Sequence, residues 1–293
     1  MAQLKIGRHR LSKQDGVRID ADSCPDLRYC LEMRSSDRTG RGPHARGAVS
    51  ILVSVAMVVG AQIISCGSSG SARAANDSGK CSRTAAQTLG WGSPYKADEF
   101  TNSSTLSNWV IYNSVGHDGN GRRTPSAITV SDGALVVTGD ASGNSGGMAE
   151  SGGGQKYGRW EICTRSPAAA PGYHAVALLW PDNNMWPIGG EVDFMEISDP
   201  ARQSAEYNLH YGMFNSVESH RIEGDGTQWH AFAVNWTPSY IAVYVDGFEW
   251  ARTTAVSKLP PWSMHLCLQL DNFGGNIAAG GKMYVDWARS YRP

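Results

Sequence analysis

The chain has 293 residues, 41% of them hydrophobic and 18% charged, which is enough apolar material for one sizeable core. Its formal net charge is −1, but residues 1–46 hold ten Lys or Arg against six Asp or Glu, and residues 67–293 hold sixteen against twenty-one. That mildly acidic main body excludes a polyanion as natural partner, so no nucleic acid is expected.

Residues 1–47 read as a basic, cytoplasmic n-region. They are too many for an ordinary one, and Met33 followed by Arg34, Arg38, Arg41 and Arg46 makes a conventional start. Residues 1–32 are then expected to lie upstream of the true start codon, with Cys24 and Cys30 irrelevant to the folded protein. The run 48–64 is apolar apart from Ser50, Ser54 and Gln62, and it ends in Ile63-Ile64-Ser65-Cys66. Basic, apolar and small residues in that order describe a secretory signal over 48–66. Its end resembles a bacterial lipobox, in which the cysteine is lipidated and becomes the mature N-terminus. Ordinary secretion and an uncleaved anchor are the alternatives, the run being near the lower limit for a spanning helix. Export is expected, as a cell-envelope lipoprotein or a secreted protein that meets membrane only through this segment. Residues 67–94 read as a flexible linker, beginning with the small, polar stretch 67–80. Residues 95–293 form one domain without internal repeat, expected to be a monomer. With Cys66 lipidated, Cys81, Cys163 and Cys267 remain. Export permits a disulfide, and Cys163 with Cys267 is one possibility because both lie in predicted strands.

Within the domain, strands over 127–130 and 134–138 flank Ser131-Asp132-Gly133, a hairpin signal. Further strands are predicted over 157–165, 174–180, 190–197, 207–211, 230–236, 241–245, 264–270 and 283–291, with Asp246-Gly247 turning the chain into 248–252. No segment holds a 3.6-residue apolar period. Many short strands with Gly-rich turns make an all-β fold, a two-sheet β-sandwich of the jelly-roll kind. The ten Trp and eleven Tyr suit a sugar cleft in that frame, because pyranose faces stack on rings, although most of them serve the core.

The most informative stretch is Gly189-Gly190-Glu191-Val192-Asp193-Phe194-Met195-Glu196-Ile197. Strand side chains alternate faces, so Glu191 and Asp193 share one face while Val192 and Phe194 enter the core. In a regular strand Glu196 would fall on the apolar face, an expensive place for a charge. A β-bulge at Phe194-Met195 resolves this, returning Glu196 to the acidic face and burying Ile197. Glu191 and Glu196 then stand four effective steps apart, about 13 Å between Cα atoms at roughly 3.3 Å per residue. Leaning together, their carboxyls can come to about 5–6 Å, where a retaining glycosidase needs ~5–5.5 Å. Asp193 between them can separate their pKa values, as an acid and a nucleophile require. A calcium site or an exposed acidic face is the competing reading, but calcium sites draw on loop oxygens and carbonyls.

Glu-Val-Asp-Phe-Met-Glu at 191–196 resembles the catalytic signature of family 16 glycoside hydrolases, in its bulged E-x-D-x-x-E form. Asp98-Glu99-Phe100, Tyr157-Gly158-Arg159-Trp160-Glu161, Trp186-Pro187, His210-Tyr211-Gly212, Trp229-His230, Trp236-Thr237-Pro238, Tyr244-Val245-Asp246-Gly247 and Val285-Asp286-Trp287 look like family landmarks in the family's order. Together they cover nearly all of 95–293. The resemblance implies a concanavalin A-like jelly roll with an open glycan cleft, cutting internal β-1,3 or β-1,4 bonds with retention. Glu191 would be the nucleophile, Asp193 its electrostatic assistant and Glu196 the general acid/base. Trp186 would line the subsite at the cleavage point, His210 would stand near the catalytic strand, and Gln269 would touch sugar. Trp180, ending the preceding strand, would also reach the cleft. No cofactor is required. A structural calcium is implied on the opposite face, through the Glu99 backbone and the Asp286 side chain.

The stretches 268–275 and 180–186 depart from the laminarinase-like form, which leaves the polysaccharide open. A transglycosylase would use the same carboxylates and hand the glycosyl group to a sugar. A non-catalytic glycan-binding protein on the same sandwich would have lost a catalytic carboxylate, and all three are present.

Overall fold

Successive side chains along each strand point to opposite faces, and the apolar rows of two antiparallel sheets meet to form the core. The structure is a computed structural model and describes residues 79–293. The expected n-region, signal segment, lipobox-like Cys66 and linker up to residue 78 lie outside the described residues. Among the described residues, the sheet that carries the cleft has nine strands. Eight follow the order Ser216–Glu223, Ser204–Tyr211, Glu191–Ile197, Tyr173–Pro181, Met264–Asn272, Asn144–Glu150, Arg122–Arg123 and Ser114–Val115, and Trp109–Ile111 pairs with Asn144–Glu150. The back sheet has eight. Seven run Phe248–Thr253, Ile241–Val245, His230–Trp236, Gly158–Arg165, Gly281–Tyr291, Ala134–Gly139 and Ile128–Ser131, and Lys96–Asp98 pairs with Gly281–Tyr291. This is the expected two-sheet sandwich.

The strand Tyr173–Pro181 shows how the layers are written in sequence. Tyr173, Ala175, Ala177 and Leu179 pack between the sheets, whereas Val176, Leu178 and Trp180 pack on the other side with Tyr112, Ala149 and Cys267. Trp160, Phe194, Tyr207 and Trp236 have no exposed surface and sit in the core. Burying each such side chain contributes about 1.5–3 kcal/mol or more. Every predicted strand is present, most within two residues of its expected bounds. The strand Asn144–Glu150 was not predicted, because Gly146 and Gly147 erase its pattern. At Gly147 a Cβ would stand 2.7 Å from the Tyr112 ring, so the close approach of that ring needs glycine. The edge strand Ser216–Glu223 was also missed, being polar on both faces.

Two expectations are corrected here. The disulfide joins Cys81 to Cys163, with Cα atoms 5.9 Å apart, and Cys267 is a buried free thiol. Cys163 faces outward from the back sheet beside Trp287, whereas Cys267 faces outward from the other sheet, so the whole sandwich separates them. The linker reading also fails from residue 79 onward. Cys81 and Ala85 are fully buried, and Thr84 caps a short helix, Ala85–Leu89, by accepting from Gln87 N–H. Ala85 packs on Ala233, Ala242 and Tyr244, and the Trp91 ring meets Tyr244 and Tyr291 edge-on. This segment is a strap over the back sheet, pinned by the disulfide.

Candidate active site

The expected bulge is present in the strand Glu191–Ile197. Asp193 lies opposite Leu178 and Glu196 opposite Val176, three positions on one strand against two on its neighbour. The other neighbour shows the same slip, with Asp193 opposite Asn208 and Glu196 opposite Glu206. From Glu191, opposite His210, to Glu196, opposite Glu206, the neighbouring strand thus advances four residues rather than five. Phe194 and Met195 both enter the core with 0% exposure. An even advance keeps faces in step, so Glu191, Asp193 and Glu196 all stand on the outer face of the sheet.

Four side chains hold these carboxylates. The Trp186 indole N–H donates to Glu191 Oε2 at 2.9 Å. His210 Nε2 is 3.4 Å from Asp193 Oδ2, and its Nδ1 is 2.8 Å from Asn215 Oδ1. His174 Nδ1 lies 3.0 Å from Glu196 Oε1, and Asn208 donates to Glu196 Oε2 at 2.8 Å. Beside them lies a cleft of about 790 Å³, lined among others by Tyr112, His117, Arg123, Trp180, Trp186, Glu191, Gln269 and Asp271. The Trp180 and Trp186 rings stack at 6.4 Å with an 11° angle between planes, and the Trp186–Pro187 peptide is cis. Trp186 is 43% exposed and lines the cleft.

The sequence model for "Glycosyl hydrolases family 16" matches residues 117–289, which hold the three carboxylates and the four side chains that contact them. The chain belongs to glycosyl hydrolase family 16. A β-glucanase of Rhodothermus marinus is 31% identical over 165 residues, covering 46% of this chain and 57% of that relative. The chain therefore spans little more than half of that protein's length. Among solved structures, the laminarinase catalytic domain of Thermotoga maritima MSB8 superposes with a TM-score of 0.60 at 20% identity, over 68% of this chain and 98% of that one. The laminarinase of Rhodothermus marinus gives a TM-score of 0.61 at 20% identity, over 68% and 96%. These structural likenesses establish the shared fold.

In this family 16 site, burial pushes Asp193 up to about 6, with the His210 hydrogen bond opposing and the Glu196 charge adding. Burial, then the Asp193 charge, lifts Glu191 well above its ordinary value against His210 and Trp186. Burial works against the charge on His210 too, but the Asp193 hydrogen bond and the two carboxylate charges overcome it and raise the imidazole to about 9. The ring is thus protonated at neutral pH, in keeping with an oxygen acceptor at each nitrogen. Glu196 differs: burial acts to raise it, but the His174 and Asn208 hydrogen bonds prevail and hold it below its ordinary value. The free site therefore favours the ionised form of Glu196, while Glu191 and Asp193 hold their protons to higher pH than free carboxyls do.

Of the sequence-expected residues, Trp186 contacts Glu191 and His210 contacts Asp193, Glu196 on the same face is held by His174 and Asn208, and Trp180 and Gln269 line the cleft. Gln269 is buried and its Oε1 has no hydrogen-bond partner. Asp286 is elsewhere, in the back sheet. Its Oδ2 accepts from Lys80 N–H at 2.8 Å, and the Lys80 ammonium is 3.8 Å from Oδ1. The Glu99 carboxylate is paired with Arg289. Calcium needs six to eight oxygens, whereas here a lysine cation stands beside the carboxylate. Among the described residues no cluster of three or more His, Cys, Asp or Glu could hold a metal.

Sequence reasoning missed His174, Asn208, Asp271 and Arg123. Asp271 is buried and paired with Arg123 at 2.7 Å. The signal was parity: His174 shares a strand face with Trp180, Asn208 with His210, and Asp271 with Gln269.

Proposed function

We propose that this chain is an endo-acting, retaining glycoside hydrolase that cuts internal β-1,3 or β-1,4 bonds of a polysaccharide. The observation that supports this most strongly is the one-residue bulge, which brings Glu191, Asp193 and Glu196 to one face beside the cleft. In the first step a Glu191 oxygen bonds to the anomeric carbon as the glycosidic C–O bond breaks, and Glu196 gives its proton to the leaving oxygen. In the second, water replaces Glu191 at that carbon and returns its proton to Glu196. The reactive arrangement needs Glu191 ionised and Glu196 protonated. Glycan that covers Glu196 and strips its water shifts the balance toward the protonated form.

The exposed Trp186 ring offers a stacking platform at the cleavage point, Trp180 extends it, and Gln269 Oε1 offers an acceptor to a sugar hydroxyl. A cleft lined along its length, rather than a closed pocket, suits attack on internal bonds. The β-glucanase relative and the laminarinase neighbours favour a β-glucan as substrate. A screen of laminarin, mixed-linkage glucan, galactan, agar and chitosan, with reducing-end detection, tests the reading. Rapid loss of viscosity and a product first formed as the β-anomer are expected; release of the α-anomer would contradict it. Added acceptor sugar in the same assay separates transfer from hydrolysis.

We also propose export. The Cys81–Cys163 disulfide supports it, because such bonds persist in oxidising compartments. A mature N-terminus at a lipidated Cys66 is expected by mass spectrometry. An exported chain that retains residues 1–66 would contradict the lipoprotein.

A further inference from the structure

We infer that His174 is a positioning residue for Glu196, held in place by a stack of three aromatic rings. The inference rests on the acid/base role proposed for Glu196. His174 Nδ1 is 3.0 Å from Glu196 Oε1, and both side chains are largely shielded from solvent, 16% and 14% exposed. The imidazole lies on the Phe273 ring, with centroids 4.0 Å apart and planes 19° apart. His117 lies on Phe273 as well, at 4.1 Å and 28°. Two rings that close and that parallel must take opposite faces of Phe273, so Phe273 is clamped between two histidines. His117 also lines the cleft, so the stack runs from the cleft wall to the catalytic strand.

The second oxygen of Glu196 accepts from Asn208, whose own oxygen accepts from Ser219 O–H at 2.6 Å. Both carboxylate oxygens are therefore fixed, one from each neighbouring strand. A glutamate has three side-chain torsions, and an acid that must aim one proton at one oxygen gains from losing them in advance. The other charged groups facing Glu196 are already engaged. Asp193 meets His210, Glu206 meets Arg221 at 3.3 Å, and Asp271 is paired with Arg123. His174 is the ring in direct contact with the catalytic carboxyl, and the roles assigned to Glu191, Asp193 and Glu196 make no use of it.

The hydrogen bond favours the ionised form of Glu196. Its loss should let the glutamate keep its proton to higher pH, while the loosened side chain aims less well. With laminarin as substrate, His174→Phe should keep the ring stack but lower kcat about 10- to 100-fold with KM little changed. The alkaline limb of kcat/KM should move to higher pH. His174→Gln, which retains an N–H donor, should recover most of both effects. Wild-type kcat, an unmoved alkaline limb, or a limb moved to lower pH in His174→Phe would overturn the inference. So would a His174→Gln variant as impaired as His174→Phe. Should His174→Phe not fold, Phe273→Ala removes the clamp at a partly exposed position and should lower kcat while moving the limb the same way. No change there would overturn it equally. Glu191→Gln run in parallel keeps the two ideas apart: survival of its activity sinks the retaining mechanism, whereas a dead Glu191→Gln beside an unmoved His174→Phe limb sinks only the role of His174.

Discussion

Two buried carboxyls, one on each sheet, are both pushed upward by burial: Glu161 on the back sheet to about 7 and Asp193 on the cleft sheet to about 6. Their partners differ. Glu161 accepts from Ala85 N–H at 2.5 Å and from Ala86 N–H at 3.3 Å, at the start of the short helix in the strap. Its oxygens are occupied by backbone donors that have no intrahelical partner, which makes it a structural clasp. Asp193 has one oxygen toward a protonated histidine and the other without any partner. A raised pKa thus marks burial in both places, and the destination of the lone pairs separates the clasp from the group proposed to assist catalysis. The comparison also divides the molecule: the back sheet covers its outer face with chain, while the cleft sheet leaves its outer face open to ligand.

The largest expected effect is on the cleft side. Glu191→Gln should cost more than about 10³-fold in turnover with no loss of fold by circular dichroism; wild-type turnover would remove the nucleophile proposed on the cleft sheet. On the back side, Cys81→Ser should lower stability by about 2–5 kcal/mol, read by denaturant titration, while activity at low temperature stays intact. A large loss of kcat without unfolding would show that the strap reaches the chemistry. Glu161→Ala should cost about 1–3 kcal/mol by leaving two N–H groups unsatisfied, again without a change in kcat. The smallest effect is a pH slope. Because Glu161 in the folded state holds its proton above its ordinary value of 4.5, the folded state binds more protons than the unfolded one between there and about 7. Its contribution to stability is complete below the lower value and lost as pH rises through the upper one. Glu161→Gln should flatten that slope, and a slope unchanged in the variant would place its origin elsewhere.

Much of this was legible beforehand. Period-two alternation gave the strands, and the five-residue spacing of Glu191 and Glu196 on an apolar strand required a bulge, whose position follows from where a charge can be buried. The strand Asn144–Glu150 was hidden because its packing partner, Tyr112, comes from elsewhere in the chain and demands glycine. The disulfide partner of Cys163 was hidden because strand parity says which way a side chain points but not what covers it. The strap was read as tether because its anchors, Glu161, Cys163 and Tyr244, lie 70 or more residues away in sequence. His174 was readable by parity with Trp180, but a lone histidine acquires meaning only when Glu196 is seen 3.0 Å away.

The claim that Glu191 and Glu196 divide the work as nucleophile and acid/base is tested most directly by trapping. The enzyme would be incubated with a 2-deoxy-2-fluoro-β-laminaribiosyl fluoride, which slows breakdown of a glycosyl-enzyme, then digested and sequenced by mass spectrometry. A single glycosyl adduct on Glu191, with wild-type hydrolysis giving the β-anomer first, is the result predicted. An adduct on Glu196 or Asp193, or no adduct together with release of the α-anomer, would contradict it.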